Sequence, residues 1–404
     1  MSADLSSPVA TVVLRSRRAK PFYMHHPWVY SGAIERMQPS PASGDLVVVK
    51  DSLGAFVAKG FYDPDSQISV RLVSWQEDEP IDEEWARRKL SQALALRREV
   101  LHLDRHTDAY RVVHAEGDGL PGLVIDFYAG HVVLAITDVG IARRRDWFIR
   151  AINGLFSPAS IFEKDVVISD SRRRVIDARG DVGPAPLPDR VRISEHGLAF
   201  DVDVRSGQKT GWYCDQRENR LALAPLVEGK SVLDLFSYSA AFSIYCAKIG
   251  NCRSALAIDS SEPAVALARA NIDLNGVADR VRVRTDDAFR CVPELVGPGE
   301  KFDVVIVDPP KLAFREAHRP KALSAYKEIN ARALEVLASP GILVSCSCSG
   351  VVERGEFLRT INEAARGAGR TLRLVDPRSQ ASDHPISAAC PETEYLKCLI
   401  LSVI

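Results

Sequence analysis

The chain has 404 residues, enough for two or three domains at about 100–200 residues each. Its 46% hydrophobic and 26% charged content is that of a soluble globular protein, and no apolar run reaches the roughly 18 residues of a membrane span. With 52 basic and 53 acidic residues the net charge is −1, so nucleic-acid binding through the overall field is excluded and must come from local basic patches.

Eight cysteines without regular spacing do not make a disulfide framework and fit a reducing cytoplasm. No CxxC pair or histidine cluster points to zinc, so no metal is expected. Residues 1–10 lack a basic flank and an apolar stretch, which argues against a signal peptide.

Three domains are expected: residues 1–79, 80–189 and 190–404. In the first, short alternating or β-branched runs at 11–14, 45–49, 56–60 and 68–73 predict strands, with turns at Gly44, Gly54 and Asp63-Pro64, and the whole is expected to be a small β-barrel. The second opens with a helix, because Trp85, Leu90, Leu94 and Val100 fall at helical spacing among arginines. Strands follow at 110–113, 123–127 and 132–137, a second helix at 142–155, and a strand pair near 161–169 and 175–178. This is a central α+β domain, closed by a Gly/Pro-rich linker at 180–188.

In the third, strand and helix signals alternate: strand 231–236, helix 240–249, strand 255–259, helix 262–275, strands 281–285 and 304–308, helix 320–337, strand 341–348. Such alternation predicts a doubly wound parallel sheet. Residues 395–403 read as a closing edge or antiparallel strand. A chain begun near Asp189 is expected to keep this core and its cofactor binding.

Two motifs end apolar strands of that sheet, where ligands bind in open α/β folds. Asp308-Pro309-Pro310-Lys311 places an acid on a stiff loop. Ser345-Cys-Ser-Cys-Ser puts Cys346 and Cys348 on one strand face, with Cys348 nearer the crevice and the other cysteines expected to be small core groups. An acid beside a thiol suggests chemistry on a flat, electron-poor ring such as a pyrimidine.

The first strand-to-helix turn, from Asp234, carries Ser237, Ser239 and Ala241 where a dinucleotide fold would have glycines. A nucleoside without phosphates, such as S-adenosylmethionine, fits that turn better. Asp259 ends the second strand and is expected to take the ribose hydroxyls; Asp287, after the third, can hold an adenine amine. Each acid alone would equally serve as a helix N-cap.

The combination Gly207-Gln-Lys-Thr-Gly-Trp-Tyr-Cys-Asp-Gln-Arg, Asp308-Pro-Pro-Lys, Tyr326-Lys-Glu-Ile-Asn, Ser345-Cys-Ser-Cys-Ser-Gly and Ser382-Asp-His-Pro resembles the bacterial 23S ribosomal RNA large-subunit methyltransferase I family, over nearly the whole chain. The segment from His26-Pro-Trp-Val-Tyr-Ser-Gly-Ala-Ile is similar to that family's N-terminal PUA domain, an RNA-binding barrel, and the stretch from Ala115 to its central domain. The resemblance implies a Rossmann-like class I methyltransferase domain, S-adenosylmethionine as cofactor, 23S ribosomal RNA as partner, a homodimer and 5-methylcytosine as product. It implies Tyr213, Asp215, Asp234, Ser237, Asp259, Asp287 and Asp308 as cofactor-binding residues, and Cys348, Asp308 and Lys311 as catalytic ones.

On this reading Cys348 adds to C6 of cytosine, Asp308 bonds the N3 edge, and Lys311 contacts a phosphate or the substrate unless it is merely a solvated lysine. The base must leave its stack, and backbone contacts must offset that cost. Arg15, Arg17, Arg18 and Lys20 are the best candidates for phosphate contacts; Arg143–Arg145 and residues 172–174 form further basic clusters. The family commonly carries glycines where this chain has Ala240 and Ala241, and one cysteine where it has Cys346 as well as Cys348. The rival readings are a methyltransferase acting on an exocyclic base nitrogen, which needs no thiol, and a non-catalytic RNA-binding protein.

Overall fold

The structure is a computed structural model that describes residues 5–165, 177–295 and 301–404. Two compact units interleave along the chain: Met1–His196 with Asp203–Trp212 and Asp383–Thr393, and Gly197–Val202 with Tyr213–Ser382 and Glu394–Ile404.

The first unit begins with β1 (Ala10–Leu14), β2 (Trp28–Tyr30), β3 (Ile34–Gln38), β4 (Leu46–Lys50), β5 (Phe56–Tyr62) and β6 (Ile68–Ser74), a six-stranded sheet in the order β2-β6-β5-β4-β1-β3. Its core gathers Val12, Leu14, Val29, Val47, Val49, Val70 and Leu72. Sequence periodicity does not show β2 and β3: one has three residues, and the other reads Ile-Glu-Arg-Met-Gln with only Ile34 buried.

Helix α1 (Glu83–Ala95) is capped by Asp82, whose carboxylate accepts from Trp85 N, and has Glu83 and Glu84 in its first turn, where acids suit the helix dipole. A wide π-type turn, Leu96–Val100, follows. It shifts the helical phase, so Val100 faces solvent rather than the core and Arg97 is fully buried instead. Arg97 is satisfied there by Asp118 and by the carbonyls of Arg111 and Asp383.

Beyond it, β7 (Ala109–His114), β8 (Leu123–Tyr128), β9 (His131–Ile136), β10 (Ser160–Glu163) and β11 (Gly180–Asp181) form a five-stranded sheet with α2 (Arg145–Phe156) before β10. The expected linker at 180–188 thus opens as a short strand, antiparallel to β10. The strand pair expected past residue 165, and the basic cluster 172–174, lie in whole or part outside the described residues.

The second unit is built on β12 (Ser231–Leu235), α3 (Ala241–Lys248), β13 (Ser254–Asp259), α4 (Glu262–Leu274), β14 (Val281–Thr285), β15 (Phe302–Val307), α5 (Arg319–Val336), β16 (Leu337–Ser347), α6 (Arg354–Gly367), β17 (Leu372–Arg378) and β18 (Lys397–Val403). They make a seven-stranded sheet in the order β14-β13-β12-β15-β16-β18-β17. β14 to β16 run parallel, and β18 is antiparallel to both β16 and β17. Tyr326, Ile329, Ala333 and Leu334 of α5 and Phe357, Ile361 and Ala365 of α6 bury Leu233, Val305, Val307, Leu343 and Leu399 of the sheet. Parallel register aligns the carboxyl ends: Leu235 pairs with Ile258 and Val307, and Val307 with Ser345. The strand order reverses at β12, and that switch point with its aligned ends is where such folds bind ligands.

Candidate active site

The chain leaving β12 turns through Phe236, Tyr238 and Ala240, whose φ angles are 62°, 48° and 60°. Left-handed backbone costs an ordinary residue about 1–2 kcal/mol, and such outliers gather where a backbone must approach a ligand. Asp259 holds the turn in place: its Oδ2 accepts from Tyr238 N at 2.8 Å and its Oδ1 from Ser261 N at 2.9 Å. A carboxylate has about four acceptor sites, so two remain for hydroxyls. Ser237 Oγ is buried with no hydrogen-bond partner, a polar group that a ligand atom would satisfy.

Below the turn Asp234 is enclosed, and its Oδ2 accepts from Ser243 Oγ at 2.7 Å and Ser243 N at 3.2 Å. Burial pushes its carboxyl up to about 7, the charge of Asp308 adds to the rise, and the Ser243 bonds oppose it.

Asp308 follows β15, and its Oδ2 accepts from Gln216 Nε2 at 2.9 Å. Gln216 Oε1 accepts from Asn219 Nδ2 at 2.6 Å, which fixes which way the amide points. Tyr213 stands against Tyr238, ring centroids 5.5 Å apart. Burial raises its hydroxyl pKa, and the charges of Asp308, Asp215 and Cys348 push the same way, so these four groups share one neighbourhood. Asp215 Oδ2 accepts from the Tyr395 hydroxyl at 2.6 Å.

Cys348 lies one residue past β16 and, of the eight cysteines, is the one that is not buried. Its neighbours are held firmly. Ser347 Oγ donates to the Tyr326 hydroxyl at 2.9 Å, and that hydroxyl bonds Ser349 Oγ at 3.0 Å. Ser349 Oγ also accepts from Ala313 N at 3.1 Å, tying the cysteine loop to the Asp308-Pro-Pro loop. Cys346 is fully enclosed opposite Cys398 in register, and its neighbour's sulfur together with burial pushes its thiol well up.

Two other residues singled out from the sequence make contacts of their own. Asp287 caps the short helix Ala288–Cys291, accepting from Phe289 N at 2.9 Å, and half faces solvent beside Arg290. Lys311 is exposed with its ammonium 5.3 Å from the Phe314 ring. Gln216, Tyr326 and Lys397 were not singled out as site residues, though Gln216 and Tyr326 lie inside the quoted motifs. The basic candidates also divide. Arg15, Arg17, Arg18 and Lys20 are exposed. The Arg143–Arg145 run is taken up by the fold: Arg143 pairs with Asp45, Arg144 is buried against the Phe61 ring, and Arg145 meets Glu163.

Among the described residues, His26, Cys390 and Glu392 bring metal-capable atoms within 4.8 Å of one another. Trp28 N donates to His26 Nδ1 at 3.3 Å, so the proton of the neutral ring sits on Nε2, facing Glu392. That tautomer has no lone pair to give a metal at Nε2, and the trio is a hydrogen-bonded cluster.

A model of the S-adenosylmethionine-dependent methyltransferase family matches residues 158–396, and a model of the PUA-like domain matches residues 12–75. Ribosomal RNA large subunit methyltransferase I of Klebsiella pneumoniae strain 342 is 36% identical over 387 residues, 96% of either chain. The Aeromonas hydrophila protein of that name is 37% identical over 394 residues, 97% of this chain and 99% of its own. SMU.776, a solved chain named as a methyltransferase and complexed with SAH, gives a TM-score of 0.83 at 20% identity, over 97% of this chain and 99% of that one. A Streptococcus mutans chain named as a SAM-dependent methyltransferase gives 0.82 at 20% identity over the same shares. At that identity both speak for the fold alone. With the turn after β12, the acids at the strand ends and these matches in agreement, the chain belongs to the ribosomal RNA large subunit methyltransferase I family, an S-adenosylmethionine-dependent methyltransferase domain following a PUA-like one.

Proposed function

We propose that this chain converts a cytosine of 23S ribosomal RNA to 5-methylcytosine, with Cys348 as the nucleophile. The observation that carries the reading is the contrast between its thiols: Cys348 is accessible at a strand end, in a loop held by Tyr326 and tied through Ser349 to the loop that bears Asp308, while the other seven are buried. Nitrogen methylation needs no such thiol. The relatives' name supplies the substrate class, ribosomal RNA of the large subunit. The PUA-like domain and the exposed Arg15, Arg17, Arg18 and Lys20 supply a surface suited to its backbone.

S-adenosylmethionine, when bound, supplies a methyl group on a sulfonium. Asp259 would hold its ribose and Ser237 a polar atom, while Asp234 and the Phe236–Ala240 turn shape the floor. Cys348 Sγ, as thiolate, forms a bond to C6; the C5=C6 pair moves through C4 to N3, which Asp308 protonates. C5 is then enamine-like and nucleophilic. C5 takes the methyl as the sulfonium leaves as the neutral thioether, N3 returns its proton to Asp308, a general base or water takes the C5 proton, and the re-formed C5=C6 double bond expels the thiolate. Gln216 Nε2 donates to Asp308 Oδ2 and so orients the carboxyl group.

Incubation of the purified protein with methyl-labelled cofactor and large-subunit RNA, followed by digestion to nucleosides, tests this. Label in 5-methylcytosine is expected. Label on an exocyclic nitrogen instead would establish the nitrogen-methylating alternative, and absence of label would favour a non-catalytic RNA-binding protein.

A further inference from the structure

We propose that Lys397 is the positioning residue that holds Cys348 as a thiolate, an inference that rests on the reading of Cys348 as nucleophile. Lys397 begins β18, directly opposite Ser347 in the antiparallel register. Its side chain is buried, and its Nζ donates to the Ser349 carbonyl at 2.7 Å and the Tyr395 carbonyl at 2.9 Å. Cys348 is therefore bracketed: the backbone of Lys397 is paired with the residue before it, and the ammonium is bonded to the residue after it.

An ammonium buried on two carbonyls has two of its three donors satisfied but its charge unbalanced. Four charged groups act on it. Cys348 and Glu394 favour the charge; Arg354 and Lys311 oppose it. Glu394 is already committed to Arg354. The thiolate of Cys348 is the anion left to answer the ammonium, and the favour is mutual: a cation beside a sulfur stabilises thiolate over thiol. Burial pulls Lys397 down to about 8, so it is still largely charged at neutral pH. When ionised, Asp308 disfavours a second anion in this neighbourhood, as its effect on Tyr213 and Tyr326 shows, and a local cation offsets it. The same ammonium would stabilise the sulfur as it leaves C6 at the end of the cycle.

A clamp that merely tied β18 to the cysteine loop would need the hydrogen bonds but not the charge. The two are separated by the pH dependence of Cys348 alkylation with iodoacetamide, read by peptide mass on the full chain with no RNA present. In the wild type, thiolate reactivity should rise with a midpoint below the ordinary thiol value of about 8.5. In Lys397→Met the midpoint should move up by about one unit, so alkylation at neutral pH slows about tenfold. Calorimetric cofactor binding checks that this variant has folded. A wild-type midpoint at or above the ordinary value overturns the proposal without any variant, and so does a Lys397→Met profile that superimposes on the wild type. Because alkylation needs no RNA, a shifted midpoint together with failure to form an RNA adduct would sink the covalent mechanism and leave the effect of Lys397 on Cys348 standing.

Discussion

Aspartates in water ionise well into the acid range, yet Asp234 is enclosed under the turn that leaves β12 and holds its proton up to about 7. The unfolded chain would release that proton near 3.8, so between those values the unfolded state binds fewer protons than the folded one. Stability therefore falls as pH rises from about 4 towards 7, by at most about 1.4 kcal/mol per unit for this group. Asp234→Asn cannot ionise, so urea unfolding of the two proteins across that window should show a shallower decline in the variant. Parallel curves would mean that Asp234 is not perturbed. Asp259 lends itself to a different test. Asp259→Ala removes the acceptor for two backbone N–H groups and, on the proposed reading, for the ribose, and hydrogen bonds to a charged group are worth about 1.5–3 kcal/mol each. Cofactor affinity measured by calorimetry should drop at least about tenfold, with some loss of stability; unchanged affinity would remove Asp259 from the site. Both acids stand out in the sequence because they fall at or beside the carboxyl ends of apolar strands. Gln216 and Lys397 do not: an amide in a loop and a lysine at the start of an apolar strand have no periodic signature, and only the fold brings them to Asp308 and to the cysteine loop.

At the scale of elements, the parallel sheet was legible because buried parallel strands are continuous apolar runs separated by helices. Helix α6 and strand β17 escaped for opposite reasons. β17 lies at the sheet edge with Leu374 and Val375 exposed, so it lacks an alternating pattern. α6 buries Phe357, Thr360, Ile361, Ala364 and Ala365, a face with only two large apolar side chains. Val100 was misplaced because a single wide turn breaks the 3.6-residue count that periodicity assumes. The junction of the cysteine and Asp308 loops makes a testable element. Tyr326 is buried, its hydroxyl held up to about 12, and it bonds serines on both sides of Cys348. Tyr326→Phe keeps the ring packing against Phe357 and loses only those bonds. A stability cost of about 1 kcal/mol is expected, together with a fall in kcat that exceeds any change in cofactor affinity, since the loop carrying Cys348 loosens. Full kcat in the variant would show that the staple is structural only.

At the scale of the whole molecule, the two units share the chain in a way that composition could not show. Thr210 bonds Asp126 and the Tyr128 hydroxyl, and Asp383 accepts from Arg111 N at 2.9 Å and, through its carbonyl, from Arg97 at 2.6 Å. A chain begun near Asp189 strips these partners from residues 203–212 and 383–393, which belong to the first unit, and keeps every residue of the second unit's core from Leu233 to Val403. RNA binding is better probed in the full chain. Replacing Arg15, Arg17, Arg18 and Lys20 with alanine should weaken RNA affinity and flatten its salt dependence while cofactor affinity stays the same. An unaltered salt slope would place the phosphate contacts elsewhere.

The central claim is a bond between Cys348 and cytosine C6, and it is tested most directly by trapping. RNA carrying 5-fluorocytosine at the target, supplied with S-adenosylmethionine, should form a covalent complex stable to denaturation, because fluorine at C5 cannot leave as a proton. Wild type and Cys346→Ala should form it and Cys348→Ala should not. An adduct that persists in Cys348→Ala and vanishes in Cys346→Ala, or methylation that proceeds with no adduct in any variant, would contradict the account.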